Sequence, residues 1–280
     1  MLKNLSILLF KLFFLIDKIL VKIFKKSFLI PLKEFIETSS YKKIKVLDKQ
    51  INFFIPNKLI EWRVDTFFVN EPETLDWIDN FKKNKEIIFW DIGANIGLYS
   101  IYNALKNNNS TTISFEPSTS NLRTLSRNIY INNLQKKIKI FTLPLNQKDN
   151  VFLKMKEESF KEGGALNSFG SEFNFEGKNF TSNMNYELFG TSINFLLDNK
   201  LLEIPDYIKI DVDGNELDVI YGFSKFLNSQ KIKSIMIEID PYDIESKNKI
   251  INYMSKYLFS VDYEISTKSN YFFKKTRHLQ

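Results

Sequence analysis

The segment Ile87-Ile88-Phe89-Trp90-Asp91-Ile92-Gly93-Ala94-Asn95-Ile96-Gly97-Leu98-Tyr99-Ser100 constrains what this chain can fold into more than any other. An apolar strand runs straight into a glycine-punctuated turn and then a helix. Glycines let the backbone turn sharply and approach a ligand, and the first helical turn offers an anionic group N–H donors that have no intrahelical partner. A second apolar strand, Thr112-Ile113-Ser114-Phe115-Glu116, ends in an acid 25 residues after Asp91, where a ribose lies in open sheets of this kind.

The spacing discriminates between nucleotides. A dinucleotide fingerprint needs G-x-G-x-x-G so that the chain can approach a pyrophosphate. Here the second glycine position is Asn95 and the third is Leu98, which leaves Asp91-x-Gly93-x-x-x-Gly97. That pattern suits a cofactor with a ribose and a small carboxylate-bearing tail, and so S-adenosylmethionine rather than NAD.

At 280 residues with 44% apolar side chains, the chain can bury one large domain. It has no cysteine, which excludes disulfides and thiolate metal sites and is compatible with a cytoplasmic protein. The single histidine, His278, is read as a solvated tail residue, so neither a Ser-His-Asp triad nor a multi-histidine metal site can form. The net charge of +6 is unevenly distributed. Residues 1–30 hold six lysines against Asp17, a net of +5, leaving +1 for the body. A nucleic-acid enzyme needs a basic groove along its body, so nucleic acid is not expected as a partner.

Residues 1–40 are read as a basic amphipathic helical segment. Its longest apolar run in the first 26 residues is Leu12–Ile16, far short of the ~20 a bilayer span needs. On a helical wheel Lys11, Lys18, Lys22 and Lys25 share one narrow face. Such a helix can lie among lipid headgroups with its lysines toward anionic lipid. It can equally pack on the domain or on a second subunit, and both readings stay open here. Oligomeric state is not legible.

The remainder, residues 41–280, reads as one domain. Ile44–Leu47 and Ile51–Ile55 form a two-strand element, and Pro72 opens a helix through about Phe81 that serves as a lid. Strands at Ile87–Asp91, Thr112–Glu116, Ile138–Leu143, Tyr207–Asp211 and Ser234–Ile239 alternate with helices, predicting a mainly parallel sheet. Segments at Phe259–Ile265 and Asn270–Phe273 form a closing antiparallel pair. About sixty residues separate the third strand from the fourth, too many for a plain connection. This insertion, about 146–204, contains Gly163-Gly164-Ala165-Leu166-Asn167-Ser168-Phe169-Gly170 and a helix capped near Thr191 or Ser192. It is read as the wall of the acceptor site.

The second dense motif is Ile208-Lys209-Ile210-Asp211-Val212-Asp213-Gly214-Asn215-Glu216. Its Asp/Asp/Asn spacing superficially resembles a calcium loop. The glycine is fourth rather than sixth, and the twelfth residue is Gly222 rather than Glu, so that reading fails.

Taken together, Phe89–Gly97, Phe115-Glu116-Pro117 with Asn121 and Asn128, and Ile208–Gly214 with Glu216 resemble the FkbM family of methyltransferases over roughly residues 70–240. The resemblance implies a Rossmann-like α/β methyltransferase fold: a mainly parallel seven-stranded sheet with helices on both faces and a C-terminal antiparallel pair. It implies O-methylation from S-adenosylmethionine, with family members acting on sugars of glycans and on hydroxyls of secondary metabolites. It assigns cofactor contacts to Asp91, Gly93, Asn95, Gly97, Glu116, Asn121, Pro144 and Asp211, with Leu143 and Leu145 beside the adenine.

Methyl transfer to a hydroxyl requires loss of that oxygen's proton. Asp211 and Asp213 are the first candidates for general base, with Glu216 and Glu238 behind them; no metal site is assigned, although two close carboxylates could hold Mg²⁺. The expected protein is an O-methyltransferase of a glycan or glycolipid precursor, on the cytoplasmic side and peripheral to the inner face of the membrane. The competing readings are a NAD-linked sugar oxidoreductase and a non-catalytic, membrane-associated glycan-binding protein on the same fold.

Overall fold

In a computed structural model, residues 1–82, 86–171, 182 and 184–276 are described. His278 lies outside them. The chain opens with α1 (Leu2–Phe24) and α2 (Leu29–Ser39), a hairpin β1 (Tyr41–Val46) and β2 (Lys49–Phe54), and the short helices α3 (Lys58–Asp65), α4 (Phe67–Asn70) and α5 (Pro72–Asp79). The central alternation follows as β3 (Ile87–Ile92), α6 (Leu98–Lys106), β4 (Ser110–Phe115), α7 (Thr119–Ile131) and β5 (Ile138–Phe141). The insertion carries β6 (Val151–Glu157), β7 (Ser168–Phe169), β8 (Met184–Gly190) and α8 (Ile193–Asp198). Then come β9 (Tyr207–Ile210), α9 (Glu216–Tyr221), β10 (Ser234–Glu238), α10 (Ile244–Ser255), β11 (Phe259–Val261) and β12 (Asn270–Lys275).

Among the described residues the main sheet has seven strands in the order β11-β12-β10-β9-β3-β4-β5. The five from β10 to β5 are parallel, while β12 runs antiparallel to β10 and to β11. This is the expected architecture. Strand β3 is buried along its whole length because both faces are covered. Its alternate residues feed two cores: Ile87 and Phe89 pack with α5, α6 and α7, whereas Ile88, Trp90 and Ile92 pack with α8, α9 and α10. The strand order reverses at β3, whose neighbours are β4 and β9, and ligands bind at the carboxyl side of such a switch point.

Two local devices fix the site's surroundings. Asn128 is fully buried on α7; its Oδ1 accepts from Phe54 N at 2.9 Å and its Nδ2 donates to Ile96 O at 3.0 Å. One amide thus joins the β1–β2 hairpin to the glycine turn. The insertion is more than a wall: β7, β6 and β8 make a separate antiparallel sheet, and Ser192 caps α8 as the sequence predicts.

At the N-terminus, α1 and α2 form a hairpin. Asp17 accepts from Ser27 Oγ at 2.9 Å and from Phe28 N at 2.7 Å, so the one acid of α1 closes the turn onto the start of α2. Glu37 of α2 holds the hairpin to α7 through Arg123 at 2.6 Å and Arg127 at 2.7 Å. The apolar side chains of α1 gain little from this arrangement: Leu8, Ile19 and Ile23 remain 52–65% exposed. No helix among the described residues is long and apolar enough to cross a membrane.

Candidate active site

A cleft of about 330 Å³ opens at the carboxyl ends of β3, β4 and β9. The sequence motifs converge there: Gly93, Asn95, Glu116, Asn121, Pro144, Asp211 and Asp213 all line it, together with Leu143, Leu145 and Glu238.

The turn after β3 is tied to β4 by Gly93 N and Ala94 N, which donate to Phe115 O at 2.9 and 3.0 Å. Gly93 has φ +84°, and a Cβ there would lie 1.7 Å from Asp211 O. The turn therefore passes against the end of β9 with no room for a side chain. Asn95 has φ +50°, a left-handed position that asparagine tolerates. Its Nδ2 donates to Gly164 O at 2.9 Å, while its buried Oδ1 has no partner.

Glu116 sits at the end of β4, 5% exposed. Its two oxygens accept from Asn95 N at 2.7 Å and Ser118 N at 2.9 Å. Burial pushes its carboxyl up to about 8, against the pull of those two amides. Asn121 bonds to Glu116 and does more than prop it. It grips the insertion: its Oδ1 accepts from Gly163 N at 2.9 Å and its Nδ2 donates to Gly164 O at 3.1 Å. Arg63 Nε donates to Gly163 O at 2.7 Å, and Asp213 Oδ2 accepts from Leu166 N at 2.8 Å. Residues 163–167 thus form a strap pinned from both sides of the cleft.

The opposite end is acidic. Lys209, 1% exposed, pairs with Asp211 and lies 5.0 Å from the centre of the Tyr99 ring. Burial opposes the charge on Asp211, but Lys209 and a hydrogen bond with Glu238 hold it ionised, below the usual carboxylate range. Glu238 is raised correspondingly, first by the charge of Asp211 and then by burial. Burial and the charge of Asp211 push Asp213 up to about 7. Tyr99 bonds to Glu71, whose carboxyl is raised by burial.

Three predicted residues stand apart from this surface. Asp91 lies beneath the turn, 1% exposed, with its Oδ2 accepting from Ser100 Oγ at 2.5 Å and its Oδ1 unpartnered. Gly97 shapes the start of α6 against Leu125. Glu216 turns away from the cleft: its Oε1 accepts from Val212 N at 3.2 Å and Gly214 N at 3.1 Å, so it braces the turn after β9. Among the described residues no three His, Asp or Glu side chains are grouped as metal ligands.

Arg63, Tyr99 and Lys209 are cleft residues to which the sequence reading gave no role, and Glu71 entered it only at the start of the lid helix. Only Lys209 carried a signal, as a lone cation inside an otherwise apolar buried strand.

The arrangement fits an adenosyl cofactor bearing an amino-acid tail. The cleft presents the buried Glu116 carboxyl, the apolar side chains of Leu143 and Leu145, and acceptors for cationic groups in the unpartnered Asn95 Oδ1 and the acids. Solved structures with similar shape include a SAM-dependent methyltransferase from Agrobacterium tumefaciens (9% identity, 85% of this chain and 71% of that one, TM-score 0.45). A second is M. capricolum TrmK in complex with S-adenosyl-homocysteine (13%, 74% and 70%, 0.40). A third is precorrin-6Y C5,15-methyltransferase from Geobacter metallireducens GS-15 (13%, 69% and 71%, 0.41). No curated protein matches the chain. The family model described as the methyltransferase FkbM domain matches residues 91–265, from the acid of β3 to the turn before β12. With that match over more than half its length, the chain belongs to the FkbM family of S-adenosylmethionine-dependent methyltransferases.

Proposed function

We propose that this protein methylates a hydroxyl oxygen of a glycan or glycolipid precursor at the inner face of a membrane. The observation that carries the oxygen assignment is the acidic end of the cleft, where Asp213 has a carboxyl near neutrality beside a permanently ionised Asp211. S-adenosylmethionine, when bound, supplies the methyl group on a cationic sulfur. Asp213 is the general base of this reading: the backbone amides of Leu166 and Asn167 bond to its carboxyl and hold it in the cleft for a substrate hydroxyl. A base titrating near 7 is matched to work at neutral pH, whereas a carboxylate held far down is a poor proton acceptor. Asp211, locked by Lys209, instead offers fixed negative charge to a cationic group. Glu216, whose Oε1 accepts from two backbone amides, braces the turn that carries Asp213.

Asp213→Asn is expected to lower methyl transfer by about 10²-fold or more while S-adenosylhomocysteine affinity stays within a few-fold of wild type. The measurement is incorporation of labelled methyl into saccharide and lipid-linked saccharide fractions, with calorimetry in parallel. Incorporation at the wild-type rate removes Asp213 from the mechanism.

The membrane clause rests on α1, whose apolar side chains stay exposed and whose lysines share one face. Leu8, Ile19 and Ile23 are among the apolar side chains that the domain leaves uncovered. Vesicles of phosphatidylcholine with phosphatidylglycerol are expected to bind the protein, and neutral phosphatidylcholine vesicles much less. Replacing Lys11, Lys18 and Lys22 together by serine should weaken binding by about a hundredfold, at ~1 kcal/mol per lysine. Unchanged partition, or a stable dimer that ignores anionic lipid, refutes the clause.

A further inference from the structure

A second pocket, of about 540 Å³, lies between the β9–α9 and β10–α10 turns and is closed by the insertion at Ser168 and Ser171. We infer that it is the acceptor pocket and that it receives a neutral, polyhydroxylated group, a saccharide without phosphate or carboxylate. The inference rests on the methyl-transfer reading above and adds where the acceptor sits and what charge it carries.

Asp213, the residue assigned as base, lines both the pocket and the cofactor cleft. Both spaces occupy the carboxyl ends of neighbouring parallel strands, β9 and β10, where open α/β sheets bind their ligands.

Its lining selects for hydroxyls. Ser168 is 2% exposed, yet its Oγ has no hydrogen-bond partner. Buried hydroxyls are ordinarily satisfied, and a serine that can both donate and accept suits a ligand that does the same. Asp240 Oδ1 accepts from Tyr242 N at 2.8 Å, which leaves its second oxygen for a ligand donor, whereas Asp243 caps α10 through Ser246 and Glu245 and contributes negative charge. Lys249, the cation of the lining, is already paired with Glu245 at 2.5 Å. The surplus of carboxylates repels phosphate, sulfate and uronate groups, whereas charge-assisted hydrogen bonds from sugar hydroxyls to carboxylates are strong.

The test uses the full chain loaded with S-adenosylhomocysteine. Saturation-transfer NMR is recorded with methyl glycosides of neutral hexoses and 6-deoxyhexoses, and with glucuronic acid and glucose 6-phosphate. The neutral glycosides are expected to show transfer and the two anionic sugars none. Asp240→Asn, at a turn outside the cofactor cleft, should weaken glycoside binding about tenfold, the cost of replacing a charged acceptor by a neutral one. Ser168→Ala should do the same, and S-adenosylhomocysteine affinity, measured by calorimetry on both variants, reports that they are folded. Absence of glycoside transfer, equal transfer from anionic sugars, or unaltered binding in both variants overturns the pocket assignment while cofactor binding persists. Failure of S-adenosylhomocysteine to bind the wild type overturns the reading beneath it.

Discussion

Gly93→Ala is expected to abolish S-adenosylhomocysteine binding and to destabilise the fold by about 4 kcal/mol or more. The added Cβ would sit 1.7 Å from Asp211 O and 2.8 Å from its carbonyl carbon. Neither atom belongs to a flexible side chain. The end of β9 is held to β3 by Asp211 N donating to Ile92 O at 3.0 Å, so relief of the clash requires the two central strands to part where the cofactor cleft begins. The residue's φ of +84° adds strain for any non-glycine residue. Gly97→Ala is the control. Its Cβ would meet Leu125 Cδ1 at 2.5 Å, the far end of a side chain that can rotate away, and the loss should be clearly smaller despite a φ of +88°. Denaturant unfolding and calorimetry on both variants make the comparison. A Gly93→Ala protein that binds S-adenosylhomocysteine within twofold of wild type would show that the close passage of turn and strand is not what shapes the cleft.

The contrast between these two glycines shows what the sequence could and could not reveal. The Asp91–Gly97 turn, Glu116 at the end of the next strand and the acids after β9 are local features, each read from a strand meeting a turn, and the structure brings them to one cleft. The mainly parallel sheet was equally legible, because its apolar strands alternate with helices. What failed to show was whatever depends on long-range docking. Arg63 and Glu71 come from the α3–α5 segment, more than twenty residues before the turn they serve, and no periodicity marks them. The Gly163-Gly164 pair was visible as a turn, but its grip by Asn95, Asn121 and Arg63 is a tertiary fact. Glu216 shows another tertiary effect. Its position beside Asp211 and Asp213 suggested chemistry, whereas the sharp turn at Asp213 and Gly214, both at positive φ, carries it back to cap the amides of that same turn. Sequence spacing does not say which side of a turn a carboxyl faces.

Cofactor affinity should depend on pH through Glu116, and removing that carboxylate should cost about a hundredfold in binding. Buried at the end of β4, the group already accepts from two backbone amides and bonds to the Asn121 side chain, and an ionised carboxylate has about four acceptor sites. A ribose hydroxyl can fill the remaining site, as a hydrogen bond to a charged acceptor worth about 1.5–3 kcal/mol. Only the ionised form accepts all four. Because burial places its titration near 8 in the free protein, the ligand-preferred form is a minority at pH 6.5 and the majority at pH 9. S-adenosylhomocysteine affinity should therefore rise with pH through this window, by at most about tenfold per pH unit, and level off above it. The same shift makes the folded state hold a proton that the unfolded chain releases near 4.5, so this group's contribution to stability declines as pH rises from about 4.5 to 8 and is constant beyond. The ligand's own amino group also titrates at alkaline pH, which is why Glu116→Gln is needed beside Glu116→Ala. Glutamine keeps the shape and removes the titration, so the rise from pH 6.5 to 8 should vanish in that variant while any contribution of the ligand remains. Calorimetric titrations at pH 6.5, 7.5 and 8.5 on the three proteins separate the cases. A wild-type affinity flat across this range, or a Glu116→Ala protein that binds as tightly, would place the ribose somewhere other than the end of β4.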